Sequence, residues 1–469
     1  MRFLVLPLIG LGDPTQDSNF HVWRDFINET HKRGHYFYMV VDESCRSDEF
    51  IKAGGLPKLP NTSYVYVDEP IDFFFRTTHL PESLIYEFGE RHGIQPIDGL
   101  LTSRAGISQY TQATMGDFRS NNQLPVLILE PLVRTYNVSS TSVRKQMCDG
   151  YGNSLNWFLN EDEKRIALKE MEQYQSASQI YKSLQNSVVE GLWVRTKQLL
   201  EVVESTPKNE KFSVFWGGRI SPDKRPEKMV ELMEKFYSFG RDVRQVVTTH
   251  QENPHLGKLV TAASSIETLK FSCKREEFLA TSASCHMFLC TSDVEGFPTG
   301  FWEQLYLIQV GIFPDKKWVR ANLPDNYPFI YKSMTEAHTM TRWIQENYEQ
   351  ALYEVRWLRE FIEKKLDIEV VTSKMIENFE NYVQAQEVGK RPGATMVKQM
   401  HVDVLKELPD EFALPEYLKV LEKLSTSYSA KRIPVLGYPT RLTIHKVIVE
   451  SGCVDLCNEY VPKYRKGSL

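Results

Sequence analysis

The sequence predicts an α/β protein made of two successive lobes, each a parallel sheet covered by helices on both faces. Through roughly the first 150 residues, short apolar segments alternate with amphipathic stretches, as expected for strands that are buried on both sides. A strongly helical run, Glu161–Val203, interrupts the alternation, which resumes from Phe212 to about Pro328. With 469 residues, the chain is longer than one typical core and suits two large lobes.

The individual strands follow from this alternation, since each is a short apolar segment bounded by polar or turn residues. In the first lobe the predicted strands are Phe3–Ile9, Tyr36–Val41, Ser63–Val67, Gly99–Leu101 and Pro125–Leu129. In the second lobe they include Phe212–Trp216, Gln245–Thr248 and Met287–Leu289. Helices are predicted over Phe20–His31 and from Thr335 to about Gln386.

These elements divide the chain into four predicted segments. Residues 1–204 form the first lobe and residues 205–385 the second. Residues 386–393 include Gly389-Lys-Arg-Pro-Gly393, a composition that predicts a linker. Residues 394–469 fit neither sheet pattern and are expected to form a small, mostly helical, basic module. Ligands of doubly wound folds bind at the carboxyl ends of strands, so two facing lobes predict a binding cleft.

Composition excludes several classes of protein. The chain is 42% hydrophobic and 25% charged, which is ordinary for a globular protein and argues against long disordered stretches. Its net charge of −5 argues against a generally basic nucleic-acid binder, although not against a local basic patch. The seven cysteines are scattered, as expected of reduced thiols in a cytoplasm. The apolar run Phe3–Leu11 is too short to span a membrane.

The first candidate site follows the strand that ends at Trp216. The segment Gly217-Gly-Arg-Ile-Ser-Pro-Asp-Lys-Arg225 precedes a helix with Pro226 in its first turn. Glycine lets a ligand approach the backbone closely, a helix N-terminus favours anions, and Arg219 and Lys224 add two cations. The segment suits a diphosphate. The alternative is a glycine turn with solvated charges.

The second candidate site is a pair of carboxylates, Glu295 and Glu303, in the segment Cys290–Glu303. Glu295 lies in the loop after an apolar strand, and Glu303 lies in the first turns of the next helix. Gly296 and Gly300 keep the loop open. One carboxylate is suited to sugar hydroxyls and the other to a ribose. Two glutamates in such positions are otherwise a solvated surface feature.

Together the two segments resemble the donor half of retaining GT-B glycosyltransferases, a likeness that covers about residues 205–385. In that family a Gly-Arg pair, followed five positions after the Arg by a Lys, holds the diphosphate of a nucleotide sugar. The matching residues here are Arg219 and Lys224, preceded by Gly217 and Gly218. The segment from Asp367 to Phe379 resembles the terminal helix that crosses back to the first lobe.

The family's Glu-x7-Glu motif supplies the rest of the resemblance. It is written E-G-F-G-x-x-x-x-E in the family and E-G-F-P-T-G-F-W-E in this chain. The resemblance implies that Glu295, with Gly296 and Phe297, faces the donor sugar, and that Glu303 binds the nucleoside ribose. It implies a retaining hexosyl- or pentosyltransferase with a UDP-sugar as the favoured donor.

The chain departs from the family pattern in three places. Gln304 stands where the family usually has Ala, and Gly311-Ile-Phe-Pro314 comes eight residues after Glu303 rather than about five. A helix one turn longer would explain that spacing. The family's first-lobe His is absent from Pro125–Pro131, where Glu130 is the polar residue, and from Asp98–Arg104. No first-lobe catalytic residue is therefore assigned.

The mechanism implied by these residues needs neither a metal nor a cofactor other than the donor itself. Departure of a nucleoside diphosphate leaves negative charge on the β-phosphate, which Arg219, Lys224 and helix N-termini would stabilise. The catalytic set is therefore Arg219, Lys224 and Glu295. No Asp-x-Asp cluster is present, and Cys453 and Cys457 form only a C-x-x-x-C pair, for which idle thiols are expected rather than zinc.

The C-terminal segment gives one indication of the acceptor. Residues 431–469 carry seven Lys/Arg against three Asp/Glu, and a helix is expected over Leu442–Gly452. Such a module suits contact with a DNA backbone, although a helical cap packed on the lobes is the alternative. In size and plan the chain resembles bacteriophage enzymes that glycosylate hydroxymethylated pyrimidines in DNA, acting in the host cytoplasm.

Other acceptors and another class of function stay open at this point. Residues 1–150 carry 14 Lys/Arg and 18 Asp/Glu, a balance that counts against a DNA-binding face on the first lobe. A saccharide or a lipid-linked glycan is the second choice of acceptor, and an inactive GT-B binding module is the alternative of another class. Double-stranded DNA bound through residues 394–469 is the first choice, and no membrane span is expected.

Overall fold

The structure is a computed structural model that describes the greater part of both predicted lobes. The described residues are 1–7, 18–52, 54–67, 97–103, 125–129, 141–217, 220–238, 244–248, 258, 266–269, 275–295, 298–387, 407–409, 411–413, 416, 420, 454–455 and 463–465. Contacts between Cα atoms divide the chain into two units. The first unit contains Met1–Phe158, Glu163–Val189 and Ser373–Leu469, and the second contains Leu159–Asp162 and Glu190–Thr372.

The first unit is built on a parallel sheet of seven strands in the order β3-β2-β1-β4-β5-β6-β7. Strands β1 to β7 are Arg2–Leu6, Tyr36–Asp42, Thr62–Val67, Gly99–Thr102, Val126–Leu129, Leu155–Phe158 and Ser187–Val189. Helices α1 to α5 are Ser18–Thr30, Asp48–Lys52, Thr141–Gly152, Glu161–Tyr174 and Ala177–Gln185. Short 3-10 turns lie at His31–Arg33 and Glu43–Arg46.

The five strands predicted for the first lobe are present, with ends that differ by a few residues. β1, β4 and β5 are buried along most or all of their length, as expected for a parallel sheet covered on both faces. β6 and β7 were not predicted. β7 interrupts the run Glu161–Val203, which was expected to be helical. It is a half-buried edge strand of three residues, too short to show an alternation of apolar and polar residues in the sequence.

A close aromatic contact joins the start of the first sheet to the last long helix. The rings of Phe3 and Phe379 are 5.4 Å apart. A Cβ at Gly99 would lie 2.7 Å from the ring of Phe379, so any larger residue at the start of β4 would force that ring to move. The chain around residue 379 is therefore part of the core of the first unit.

The second unit is built on a parallel sheet of six strands in the order β10-β9-β8-β11-β12-β13. Strands β8 to β13 are Ser213–Trp216, Arg244–Thr248, Ile266–Leu269, Met287–Leu289, Gly311–Pro314 and Ile330–Tyr331. Helices α6 to α10 are Thr196–Ser205, Pro226–Ser238, Arg275–Ser284, Thr299–Ile308 and Lys317–Asn322. Helices α11 to α13 are Met334–Glu346, Tyr348–Glu354 and Leu358–Leu366, and a 3-10 turn spans Pro222–Lys224. Helix α14, Ile368–Glu387, begins in the second unit and belongs to the first unit from Ser373 onward.

The second sheet clarifies two features of the sequence. Helix α6, Thr196–Ser205, lies with the second unit, whereas the predicted boundary after residue 204 assigned most of it to the first lobe. Gly311-Ile-Phe-Pro314, compared above with the family's Gly-x-Pro, is the fully buried strand β12. β12 is reached after the helix Thr299–Ile308 ends at Gln309, whose φ is 68°.

Each sheet reverses its strand order at the first strand of its own unit. In the first sheet β1 lies between β2 and β4, and in the second β8 lies between β9 and β11. The chain therefore winds outward in both directions from β1 and from β8. In doubly wound folds this reversal opens a crevice at the carboxyl ends of the two central strands, which in the second unit are β8 and β11.

The last segment contributes three short strands among its few described residues. β14, β15 and β16 are Glu411–Ala413, Val454–Asp455 and Lys463–Arg465, in the antiparallel order β14-β16-β15. The helix expected over residues 442–452 and the linker at residues 389–393 lie outside the described residues. Among the helices that the structure describes, none is long and apolar enough to cross a membrane.

Candidate functional site

The two candidate segments meet at the reversal point of the second sheet. The loop that holds Lys224 follows β8, and the loop that holds Glu295 follows β11. β8 and β11 are parallel neighbours, with Val214 opposite Met287 and Phe215 opposite Phe288. Because parallel strands end at the same edge of a sheet, these two loops emerge side by side. The sequence-predicted residues Lys224 and Glu295 are thereby brought together.

Lys224 lies between two carboxylates. Its ammonium forms ion pairs with Glu295 and, at 3.1 Å, with Asp223. The Lys224 and Glu295 side chains are only 11% and 13% exposed, and a largely buried charge of either sign requires a partner. Each therefore neutralises the other in the free protein. Asp223 is more open to solvent and also accepts a 2.6 Å hydrogen bond from the Ser221 hydroxyl.

Three hydrogen bonds fasten the two loops to each other. The Thr291 hydroxyl donates to the Lys224 carbonyl at 2.7 Å and accepts from the Trp216 indole at 2.9 Å. The backbone N–H of Asp293 donates to the Asp223 carbonyl at 2.9 Å. Thr291 and Trp216 are buried, where hydrogen bonds are shielded from competing water. The backbone on either side of Lys224 is therefore fixed against the loop of Glu295.

Asp293 adds an electrostatic link between the same loops. Its carboxylate forms ion pairs with Arg225 at 2.9 Å, Lys316 at 3.1 Å and Lys228 at 3.4 Å. Burial opposes ionisation of Asp293, but the hydrogen bond from Lys316 and the surrounding cations outweigh it and hold its pKa below the usual value. Arg225 also pairs with Glu227. Asp293 therefore stays ionised and ties segments that follow β8, β11 and β12.

Arg225 has a backbone conformation that is unusual for its residue type. Its φ is 52° and its ψ is 53°, in the left-handed region, which costs a non-glycine residue roughly 1–2 kcal/mol. The turn lets Lys224 end the 3-10 turn while Pro226 begins the next helix. The ion pairs of the Arg225 side chain with Asp293 and Glu227 offset the cost of its strained backbone.

Glu303 lies on the helix Thr299–Ile308, which follows the Glu295 loop. Its side chain is 12% exposed and forms an ion pair with Arg275, which is 48% exposed and begins the helix Arg275–Ser284. At the residue next to Glu303, the Gln304 side chain accepts a hydrogen bond from the buried Ser282 hydroxyl of the helix Arg275–Ser284. Gln304, a departure from the family pattern, therefore joins the two helices that the Arg275–Glu303 pair also joins.

The far end of the Glu303 helix is held by Arg359. Its guanidinium donates to the carbonyls of Tyr306 at 2.8 Å and Leu307 at 3.3 Å. The last carbonyls of a helix lack partners within the helix, and a cation there also interacts favourably with the helix dipole. Arg359 thus stabilises the end of the helix that carries Glu303.

Gly217 has a packing reason to be glycine. A Cβ at that position would lie 2.8 Å from the ring of Phe215, closer than real Cβ contacts. A side chain at Gly300 would instead meet open space, so the start of its helix is accessible. Gly218, Arg219, Gly296 and Phe297 lie outside the described residues, and their proposed contacts stay predictions. Glu130, to which no role was assigned, also lies outside them.

The described residues contain no group of three or more His, Cys, Asp or Glu side chains that could hold a metal ion. Cys453 and Cys457 lie outside that part of the chain. The charged side chains at the reversal point are instead arranged as cation–carboxylate pairs. Lys224, Glu295 and Glu303 are thus groups of a kind that can bind phosphate and hydroxyls.

Sequence reasoning missed several residues that shape the site: Arg225, Arg275, Asp293, Lys316 and Arg359. Asp293 offered a weak signal, since it lies two residues before Glu295 in the segment Cys290–Glu303. Arg275 and Lys316 gave none, because each comes from a different segment of the chain and meets the site only after the sheet has formed.

The chain was compared with family models, curated proteins and solved structures. No known family model matches the sequence, and no curated protein matches it significantly. Solved structures do match, and they establish that the chain has the GT-B fold, with two Rossmann-like lobes in succession.

Three of these structures illustrate the likeness. Sucrose-phosphate synthase from Thermosynechococcus elongatus aligns with a TM-score of 0.61 at 12% identity, over 82% of this chain and 100% of the other. A glycosyltransferase from Rickettsia africae aligns at 0.58 and 11% identity, over 81% and 98%. HepE of Anabaena, in complex with UDP and glucose, aligns at 0.56 and 10% identity, over 81% and 99%.

Proposed function

We propose that this protein is a glycosyltransferase that moves a sugar from a nucleoside-diphosphate sugar, with UDP-sugars favoured, to a hydroxyl acceptor. The observation that carries the proposal is the contact of Lys224 with Glu295 at the reversal point of the second sheet. A cation suited to a diphosphate and a carboxylate suited to sugar hydroxyls stand side by side there. The GT-B fold, shared with a protein solved in complex with UDP and glucose, supports the same reading.

The chemistry assigns a task to each charged residue. As the bond between the sugar and the β-phosphate breaks, negative charge develops on the departing nucleoside diphosphate. Lys224, with Arg219, would stabilise that charge more in the transition state than in the ground state, which is the condition for faster transfer. Glu295 would hold hydroxyls of the donor sugar and Glu303 those of the ribose. No metal ion is needed for this division of work.

Retention of anomeric configuration is a finer part of the proposal. It rests on the Glu-x7-Glu motif, Glu295 to Glu303, and on its likeness to retaining enzymes. The test is an NMR measurement of the anomeric coupling in the first product formed from a donor of known configuration. A product of opposite configuration to the donor would remove retention from the proposal without affecting transfer.

Incubation with a panel of nucleotide sugars tests the proposed function as a whole. Consumption of one donor, with release of its nucleoside diphosphate, is expected, and it should continue in EDTA. The inactive binding module, which is the alternative of another class, would bind a nucleotide without consuming any donor. Loss of activity in EDTA that Mg²⁺ or Mn²⁺ restores would contradict the metal-free mechanism.

For the acceptor, a hydroxymethylated pyrimidine base in phage DNA is the first choice and a saccharide or lipid-linked glycan the second. The first choice rests on the basic composition of residues 431–469 and on the resemblance in plan noted above, and it would place the reaction in the host cytoplasm. Mass spectrometry of nucleosides from modified and plain DNA after incubation with donor is the direct test. Transfer to glycans alone would favour the second choice.

Contact of residues 394–469 with DNA has its own test. Phosphate contacts release counterions, so DNA affinity should fall steeply with salt. A chain ending in the predicted linker, residues 389–393, should keep donor hydrolysis and show a flatter salt dependence. A segment that only caps the lobes would, when removed, lower both thermal stability and donor hydrolysis. Absence of salt-dependent DNA affinity in the full chain would exclude a DNA acceptor.

A further inference from the structure

In the free protein, the Lys224 cation is already engaged by two carboxylates. Glu295 and Asp223 both contact its ammonium. A phosphate that binds Lys224 must therefore compete with at least one of them. The strength with which the site holds a phosphate depends on what happens to the carboxylate that is displaced.

The two carboxylates differ in how easily they tolerate separation from Lys224. Asp223 is 43% exposed and keeps its hydrogen bond from Ser221, so water and Ser221 compensate for the loss of the cation. Glu295 is 13% exposed, and among the described residues Lys224 is the cation in contact with it. An unpaired, largely buried carboxylate is costly. Exchange of Asp223 for a phosphate therefore costs little, whereas exchange of Glu295 is costly unless Glu295 gains a new partner.

We propose that Glu295 makes the site select a nucleoside-diphosphate sugar over the free nucleoside diphosphate, an inference that rests on the proposed function. With a nucleotide sugar, the diphosphate takes Lys224 and the sugar hydroxyls donate to Glu295, so both groups exchange one partner for another. With the free nucleoside diphosphate, Lys224 gains a partner but Glu295 loses its own. The Lys224–Glu295 pair therefore weakens binding of the product and not of the donor.

The same exchange favours release of the product. Once the sugar has been transferred, Glu295 no longer has hydroxyls to hold, and it returns to Lys224. In doing so it competes with the diphosphate for the same ammonium. The residue that orients the donor sugar before transfer thus expels the nucleoside diphosphate afterwards.

Glu303 supplies the matched control. It is as buried as Glu295, at 12% exposed, but its partner is Arg275 and not Lys224. Replacing Glu303 by Gln removes a carboxylate of similar burial from the same site without freeing Lys224. Any effect that comes only from reduced negative charge in the site should therefore appear in both variants, whereas competition for Lys224 should appear only in Glu295→Gln.

Isothermal titration calorimetry with UDP and UDP-glucose tests the inference on the full chain, and the other pairs of the donor panel replace them if neither binds. Glu295→Gln should bind the free nucleoside diphosphate more tightly than the wild type, on the order of tenfold, as expected when a binding-competent state populated about one part in ten becomes dominant. The nucleotide sugar should gain little or lose affinity. Glu303→Gln should not tighten either ligand.

A second variant guards against misfolding of the first. Glu295→Asp keeps the charge but withdraws it from Lys224 by one methylene, and it should tighten binding of the free nucleoside diphosphate to a smaller extent. Unchanged or weaker binding of the free nucleoside diphosphate in folded Glu295→Gln and Glu295→Asp would overturn the inference and leave the proposed function standing. Absence of binding by every pair in the panel would overturn the proposed function and the inference with it.

Discussion

The guanidinium of Arg225 lies 2.9 Å from the carboxylate of Asp293, and it reaches that position from a left-handed backbone. The pair joins the loop after β8 to the loop after β11, through the residue next to Lys224 and the residue two positions before Glu295. A backbone strain is tolerated there because the side chain that it carries links the two halves of the site.

Replacement of Arg225 should separate backbone strain from the ion pair. Both Arg225→Gly and Arg225→Ala remove the contact with Asp293, but only glycine adopts the left-handed conformation without strain. The glycine variant is therefore expected to be more stable than the alanine variant by about 1 kcal/mol, measured by chemical denaturation. Equal stabilities of the two variants would show that the turn is not strained in solution.

Removal of the phosphate-binding cations should lower turnover strongly. Lys224→Ala and Arg219→Ala are each expected to reduce the rate of donor consumption by ~10²-fold or more, by analogy with the loss of one preorganised donor. Lys228→Ala is a suitable control, because Lys228 contacts Asp293 and not Glu295. Rates close to wild type in both Lys224→Ala and Arg219→Ala would contradict the assignment.

The two glutamates should differ in the step that they affect. Glu303→Ala is expected to weaken nucleotide binding, because ribose contacts form before the reaction, whereas Glu295→Ala should mainly reduce sugar transfer. Arg275→Ala should weaken nucleotide binding too, since the paired Arg275 holds the Glu303 carboxylate in place. Glu276→Ala, an exposed neighbour on the same helix, is the control. Calorimetry and initial rates would separate the two effects.

Lys208 should make the free energy of unfolding increase with pH above neutrality. Its ammonium donates to the carbonyls of Ala283 and Cys285. Although much of the side chain is exposed, the loss of water around the ammonium lowers its pKa to about 8. An unfolded chain keeps this proton up to about pH 10.4. Between these two values the unfolded state binds more protons, so the free energy of unfolding should rise with pH.

Comparison with Lys208→Met isolates this contribution. The free energy of unfolding of the wild type, relative to Lys208→Met, should rise on the order of 1 kcal/mol from about pH 8 to pH 10.4, less than a fully buried lysine would give because solvent screens the exposed part of the Lys208 side chain, measured by urea denaturation. Lys365→Met, at another exposed lysine, should show no such pH-dependent difference. A flat difference for Lys208→Met over the same range would mean that the ammonium of Lys208 has the same pKa in the folded and the unfolded chain.

The features that could be predicted are those that leave a pattern in consecutive residues of the sequence. Buried strands such as Val126–Leu129 and Met287–Leu289 are short apolar segments, and alternation with helices gave the α/β class. Strands such as Ile330–Tyr331 escaped because two residues carry no periodicity. The glycine-rich loop and the Glu-x7-Glu motif led to Lys224, Glu295 and Glu303 because their spacing along the chain is itself the signal.

The unpredicted part depends on which distant segments become neighbours. Arg275 and Glu303 meet because two helices pack together, and Asp293 gathers cations from segments after three different strands. Nothing in the sequence near Arg225 indicates a left-handed turn, since arginine disfavours one. Such contacts follow from the register of parallel strands, which local patterns do not specify. The pairing of Lys224 with Glu295 belongs to this class, although each residue was identified alone.

The discontinuity of the first unit has a consequence for how the chain is made. That unit includes Ser373–Leu469 as well as residues from the beginning of the chain, and Phe379 packs against Phe3 and Gly99. During synthesis, the residues of the second unit, up to Thr372, leave the ribosome before Phe379 does. The second unit can therefore complete its core first, whereas the early strands of the first unit must wait with part of their apolar surface uncovered, a period in which chaperone binding protects such surfaces.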